Sequence, residues 1–214
     1  MPKTKAQISV SVDGYMAGPD QSQADPLGKG GEGLHEWAFK QAAFKSMHDM
    51  GDGGETGPSN DVLRAAQQNI GAVVMGRNMF GPVRGAWPDE DWKGWWGEDP
   101  PFHCPVYVLT HHARDPFELE NGNSFHFVTD GIEKAMAEAK EAADDQDVSV
   151  AGGAQTLQEA IAAGLLDEIV VHQVPILLGG GERLFDHLDN GAAKVELTDV
   201  VEGADVLHLT YRLG

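Results

Sequence analysis

Residues 150–164 read VAGGAQTLQEAIAAG. A short apolar run ends in Gly152-Gly153 and passes directly into a helical pattern closed by Gly164. A strand, a glycine corner and a helix in immediate succession form the repeating unit of an α/β sheet. The glycines let another group approach the backbone closely. The first helical turn also leaves N–H groups unpaired, so the corner suits an anion such as a pyrophosphate. Thr156 adds a hydroxyl. A tight turn that holds no ligand has the same pattern, and both readings stand at this point.

Working outward, the same grammar recurs. Residues 7–12 alternate as a strand does, and residues 34–48 read as a helix with Leu34, Trp37, Ala38 and Phe44 near one face. A second helix is expected over 59–69 with Ser59 as its N-cap. Strands follow at 72–75, 106–110 and 125–128. Asp130 and Glu133 suggest a capping box ahead of a helix over 131–143. A strand at 148–151, a helix at 154–163 and a strand at 168–175 come next. Residues 194–202 and 205–212 alternate around a Gly-Ala turn, as an antiparallel hairpin does. The order predicts a single α/β domain: a mostly parallel central sheet with helices on both faces and a C-terminal antiparallel hairpin.

Ligands of open α/β sheets sit outside the carboxyl ends of the strands. Two further strand ends carry suitable groups. VVMGRNMFG, residues 73–81, places Arg77 at a glycine corner, where a guanidinium can pair a phosphate through two hydrogen bonds. VLTHHARD, residues 108–115, gathers Thr110, His111, His112 and Arg114. Each alone is also an ordinary surface feature. Gly28, Gly30 and Gly33 spell G-x-G-x-x-G without a preceding strand and read as a flexible loop. Gly179–Gly181 is either a turn or a place where backbone meets ligand. The tryptophan-rich stretch 85–105 is either a lid or local packing.

Composition narrows the function classes. The 214 residues carry 15 Lys and Arg against 34 Asp and Glu, a net charge of −19. That charge disfavours nucleic acid and anionic membranes as partners. One cysteine, Cys104, excludes an intrachain disulfide framework and a multi-cysteine zinc site. The nine histidines show no metal spacing, so no metal is expected. No apolar run reaches a membrane span and no signal peptide is evident, which makes a cytoplasmic protein the expectation.

SVDGYMAGPD, AVVMGRNMFG, PVYVLTHHARDP and VAGGAQTLQEAIAAGLLDEIVVHQVPILLGGGERLF occur in one order along nearly the whole chain. This order resembles the dihydrofolate reductase superfamily, most of all the branch related to the C-terminal reductase domain of bifunctional riboflavin-biosynthesis proteins. The resemblance implies an eight-stranded, mostly parallel sheet and NADPH as hydride donor. It implies Gly76 and Arg77 near the cofactor phosphates, and Leu109, Thr110 and His111 on the side of the adenosine 2′-phosphate. Gly152, Gly153, Ala154, Gln155 and Thr156 would wrap the pyrophosphate, and Ala17 and Gly18 would lie beside the nicotinamide. Asp13, in the SxDG-like motif, would orient substrate or relay a proton.

Around that frame, Glu182 would face the substrate pocket. Trp37 is either a stacking surface for a planar ring or a core residue, and Glu36 lies on the same predicted helix. Tyr15 stands where many riboflavin reductases carry a lysine, and Lys29 is the lone base of its loop. The expected activity is reduction of a small heterocyclic or carbonyl substrate by NADPH. Reduction of dihydrofolate, or NADP binding without turnover, are the alternatives. A homodimer is a further expectation, as related reductase domains often dimerise, and the sequence does not mark its interface.

Overall fold

The computed structural model describes residues 1–81, 85–89, 91–189, 191 and 193–214. In chain order its elements are β1 (Thr4–Ser11), β2 (Tyr15–Ala17), α1 (Glu36–Phe39), α2 (Ala42–Met47), α3 (Pro58–Ala66), β3 (Ile70–Gly76) and α4 (Arg77–Phe80). They continue with β4 (Pro105–Leu109), β5 (Phe117–Glu118), β6 (Ser124–Val128), α5 (Ile132–Ala143), β7 (Asp147–Gly152), α6 (Ala154–Ala162) and β8 (Glu168–Val174). The last are β9 (Glu182–Arg183), β10 (Val195–Glu202) and β11 (Leu207–Leu213).

The main sheet has the order β10-β11-β8-β1-β7-β3-β4-β6-β5. Strands β8, β1, β7, β3, β4 and β6 run parallel, and β11, β10 and β5 are antiparallel additions. The expected architecture therefore holds. The strand count is nine rather than eight, because two-residue β5 closes the far edge. Strands β2 and β9 form a separate ribbon.

Alternation along each strand sorts side chains to two faces. Ala6 and Val10 of β1, Ala72 and Val74 of β3, and Ile169 and Val171 of β8 share one face with the apolar stripes of α5 and α6. In α5 that stripe is Ile132, Ala135, Met136, Ala139 and Ala143, the spacing of one helix face. The opposite face is divided. Over β3, β4 and β6 lie Val73, Met75, Val106, Val108 and Phe125, covered by Phe80 and the tryptophan-rich segment. Over β8 and β11 lie Val174 and Val206, covered by Leu34, Trp37, Ala38 and Leu63. The tryptophans pack locally: Trp92 Nε1 donates to Phe80 O at 3.0 Å, and Trp96 meets Phe102 edge-on.

Three local expectations are corrected. The helix over 34–48 is broken into a 3₁₀ turn at Gly31–Leu34, α1 and α2. Gln41 takes an extended conformation to bridge Glu55, and its amide bonds Trp37 O at 3.0 Å. Ser59 does not cap α3; Gly57 holds that position, and Pro58 begins the helix. Helix α5 has Gly131 as its N-cap, with no side-chain cap bond, so Asp130 and Glu133 form no capping box. The glycine-rich loop before α1 is folded rather than loose. Gly18 N donates to Leu27 O and Lys29 N to Pro19 O, both at 2.8 Å.

Candidate functional site

Sheet register brings the three sequence corners together. Gly76 pairs with Leu109 across β3 and β4, and Met75 pairs with Gly152 across β3 and β7. Leu109, Gly76 and Gly152 thus lie side by side along the carboxyl ends of adjacent strands. Gly76 is needed there: a Cβ on it would stand 2.5 Å from Thr156 Oγ1. Gly152, at φ 121, borders Met16 of β2 and Met79 of α4, each 3.8 Å from where its Cβ would be. Gly153 is the N-cap of α6, has no side-chain cap bond, and faces open space. The helix therefore offers its first-turn N–H groups at an uncrowded corner.

The remaining expected cofactor residues fall into two groups. Ala154 and Thr156 are buried in the first turn of α6, while Gln155 is exposed and donates to Glu159 at 2.8 Å. Thr110 is buried, and its Oγ1 accepts from His112 N at 3.2 Å, which shapes the turn after β4 and leaves His111 exposed. Ala17 pairs with Glu182 across the β2–β9 ribbon. Gly18 is locked by its neighbours, because a side chain there would collide with the Lys29 carbonyl.

Arg77 shows the most unusual electrostatics. Its guanidinium lies 3.5 Å from the centroid of the Trp87 ring. Its Nε and Nη2 are buried and have no hydrogen-bond partner among the described residues. Burial, and secondarily the charge of Arg114, press its pKa down to about 10, so it remains a cation at neutral pH. Arg114 lies 5.1 Å from the same ring and 4.9 Å from Phe127. Two arginines therefore share one aromatic corner beside the strand ends. Buried donors without partners are rare, because leaving them dry costs free energy. Their presence fits an anionic group.

Asp13 is held by the chain's own backbone. Its carboxylate accepts Gly179 N at 2.7 Å and Leu178 N at 3.1 Å. The Ser11 hydroxyl bonds it as well, and together with those amides holds its pKa down to about 2 despite the opposing cost of desolvation. The carboxylate is ionised at neutral pH, and its two amide bonds fasten the 178–179 turn to the first loop. Gly181 continues that contact, since a side chain on it would collide with the Ala17 carbonyl. Of the glycine run, Gly181 is the residue that meets backbone, while Gly179 faces open space.

Trp37 is corrected to a core residue. It is 3% exposed, its indole N–H donates to Ser9 Oγ at 3.1 Å, and the rings of His172 and His208 lie against it. It has no free face for a substrate. Glu36 is exposed on α1, and Glu182 is exposed beside Ala17. Sequence reasoning missed Trp87, because nothing local marks which of several tryptophans meets Arg77. Among the described residues, no group of three or more His, Cys, Asp or Glu is placed to hold a metal ion, and no helix is long and apolar enough to cross a membrane.

Residues 2–209 match the family model of the RibD C-terminal domain. The chain belongs to this family. Its fold is shared by a protein of Shewanella sp. PV-4 assigned to riboflavin biosynthesis, at TM-score 0.60 and 21% identity, covering 99% of each chain. It is similar to the Thermotoga maritima diaminohydroxyphosphoribosylaminopyrimidine deaminase/5-amino-6-(5-phosphoribosylamino)uracil reductase, at TM-score 0.58 and 14% identity. There the match covers 100% of this chain and 57% of the other. Dihydrofolate reductase from Enterococcus faecalis, solved with NADP(H), matches at TM-score 0.51 and 15% identity over 99% of this chain and 96% of its own. The fold of this RibD-type chain is thus dihydrofolate-reductase-like. No curated protein sequence matches it.

Proposed function

We propose that this protein is an NADPH-dependent reductase of a small heterocyclic or carbonyl substrate, of the riboflavin-pathway pyrimidine reductase kind. One observation carries the cofactor assignment. Arg77 has two buried donors without a partner among the described residues beside Arg114, at the sheet end where Gly76 lets Thr156 come close and Gly153, the N-cap of α6, faces open space. A cofactor with both a pyrophosphate and a further phosphate matches a glycine–helix corner plus an arginine pair.

When bound, the nicotinamide nucleotide supplies a hydride to an unsaturated carbon of the substrate. The chain's own residues bind and orient. The α6 N-terminus and the Gly76 corner receive phosphate oxygens, with Thr156 set between them. The turn after β4, closed by Thr110, carries His111 toward the adenosine side. The β2–β9 ribbon presents Ala17 and Gly18 on the nicotinamide side, with Glu182 next to Ala17 toward the substrate. Asp13 keeps the adjoining loops in register and so acts by positioning. Dihydrofolate reduction draws no support from Glu36, which is exposed.

Two assays test this reading. NADPH titration followed by nicotinamide fluorescence should show binding at least about tenfold tighter than NADH, roughly 1.4 kcal/mol. Arg77→Ala should erase most of that difference. Absorbance at 340 nm should then fall with 5-amino-6-(5-phosphoribosylamino)uracil and stay flat with dihydrofolate. Absence of nucleotide binding overturns the cofactor assignment, and turnover of dihydrofolate alone overturns the substrate class.

A further inference from the structure

Gln7 lies in the middle of β1, with β8 on one side and β7 on the other. Its side chain is on the face that carries His172, whose Nε2 stands 3.3 Å from Gln7 Oε1. That face is covered unevenly. Val73 and Met75 of β3 are buried with Phe80 and the tryptophan-rich segment, and Val174 of β8 is buried with Leu34 and Trp37. Between them Val170, Gln7, Ala151 and Ser149 are only half-buried. Alternation along the strands puts all four on this one face. Val170 pairs with Gln7 in register, and Ala151 immediately precedes Gly152 in β7. A half-open strip thus crosses the central strands beside the glycine corner, with a carboxamide between two apolar side chains.

The polarity of that carboxamide is set from the core side. His172 is 3% exposed, and its Nδ1 lies 2.8 Å from His208 Nδ1. A neutral imidazole carries one N–H and one acceptor nitrogen. With Gln7 Oε1 against it, His172 Nε2 carries the hydrogen, and its Nδ1 accepts from His208. The Gln7 carbonyl oxygen is thereby engaged. Its NH2 group bonds none of the described residues and is what the side chain offers to the half-open strip. A donor between apolar flanks suits the edge of a planar ring that carries an acceptor oxygen.

We infer that Gln7 reads a ring carbonyl of the substrate, so that the site selects a planar heterocycle with a carbonyl on its edge over one without it. The inference rests on the proposed function for where the substrate lies, next to the Gly152 corner that Met16 borders. It concerns a residue that takes no part in holding the nucleotide. A polar group that bonds the right substrate is left unpaired by the wrong one, which makes such a contact strongly selective. Discrimination between rings, rather than nucleotide affinity, therefore depends on Gln7.

The test titrates two planar probes into the isotope-labelled full chain, followed by NMR: 5,6-diaminouracil, which carries ring carbonyls, and 4,5,6-triaminopyrimidine, which has none. Wild type should bind the diaminouracil about tenfold or more tighter, and the probe should shift the Gln7 side-chain amide signals. Gln7→Glu keeps an oxygen for His172 and replaces the NH2 group by a second acceptor. It should fold as wild type does and lose the preference. Gln7→Met removes the donor without adding charge, should lose the preference as well, and serves should Gln7→Glu fail to fold. Either variant identifies the amide signals by their absence. Absence of diaminouracil binding, equal affinity of wild type for the two probes, an unmoved Gln7 amide, or a preference kept in either folded variant overturns the role of Gln7. NADPH titration of the same variants should match wild type. A chain that binds NADPH but not the diaminouracil refutes the inference alone, whereas one that binds no nucleotide refutes the cofactor assignment whatever the probes show.

Discussion

Two aromatic clusters with polar centres sit on the same face of the sheet, and they are finished differently. Over β8 and β11, His172 and His208 are cross-strand partners packed against Trp37. Their Nδ1 atoms are 2.8 Å apart, His172 Nε2 lies 3.3 Å from Gln7 Oε1, and His208 Nε2 lies 3.0 Å from Ser59 Oγ. One set of neutral tautomers satisfies all three contacts: Ser59 donates to His208, His208 to His172, and His172 to Gln7. Over β4 and β6, Arg77 is stacked on Trp87 with two donors unmet. A polar cluster whose bonds close within the chain specifies structure. One left open at a cationic centre is arranged for something outside the chain.

The comparison can be broken most forcefully at Trp37. Trp37→Ala empties the closed cluster and should cost about 3–5 kcal/mol of stability, read from urea unfolding. No loss would mean that the histidine layer is not a packed unit.

His172→Leu comes next. It leaves His208 Nδ1 and Gln7 without their partner and should cost about 1–3 kcal/mol. The pH dependence should change with it. Burial pushes His172 down to about 3, with the charges of His208 and His35 acting in the same direction, and burial pushes His208 down to about 4. An unfolded histidine takes up its proton near pH 6.5, so the unfolded chain binds more protons below that pH. Stability should therefore be full above about pH 6.5 and fall as pH drops from there toward 4. In His172→Leu the fall should be shallower. An unchanged pH slope would contradict the closed cluster.

At the open cluster the sign should invert. Arg77→Met removes unmet donors and the repulsion with Arg114, and it keeps an unbranched chain to lie on Trp87. Without ligand it should raise stability by about 1 kcal/mol while weakening nucleotide binding. A loss of stability would show that Arg77 serves the fold first. Smallest in stability is Gly81→Ala. The backbone at Gly81 has φ −152, which alanine adopts freely, and the added methyl would come within 2.8 Å of Arg77 Nη1 and 3.2 Å of Trp92 Nε1, so the guanidinium must shift. Thermal unfolding should shift little, while NADPH binding weakens several-fold as the guanidinium is displaced. Unaltered NADPH binding would show that the position of Arg77 does not matter.

Much of this was legible in the residues. Gly152-Gly153 before an amphipathic run, Gly76-Arg77 after an apolar one, and the alternating hairpin each obey a short-range rule. Helix 34–48 misled because its composition favours helix throughout. The break comes from Gln41 bridging Glu55, fourteen residues away in sequence, and no local propensity reports that. The β2–β9 ribbon was invisible for a related reason. Two or three residues carry no periodicity, and their pairing spans Ala17 to Glu182. Asp13 stands out in the sequence by its SxDG-like motif, but its bonds to Leu178 and Gly179, which join two distant loops, exist only in the folded chain.

From the amino acids alone follow the α/β class, the strand-end corners and the type of ligand they suit. Those features depend on backbone geometry within a few residues and on which side chains are apolar. Which tryptophan is core and which faces an arginine depends instead on contacts between distant segments. So does the difference between a histidine pair that closes on itself and an arginine that does not. Burial and hydrogen-bond closure are properties of those contacts, and only the folded chain brings them into being.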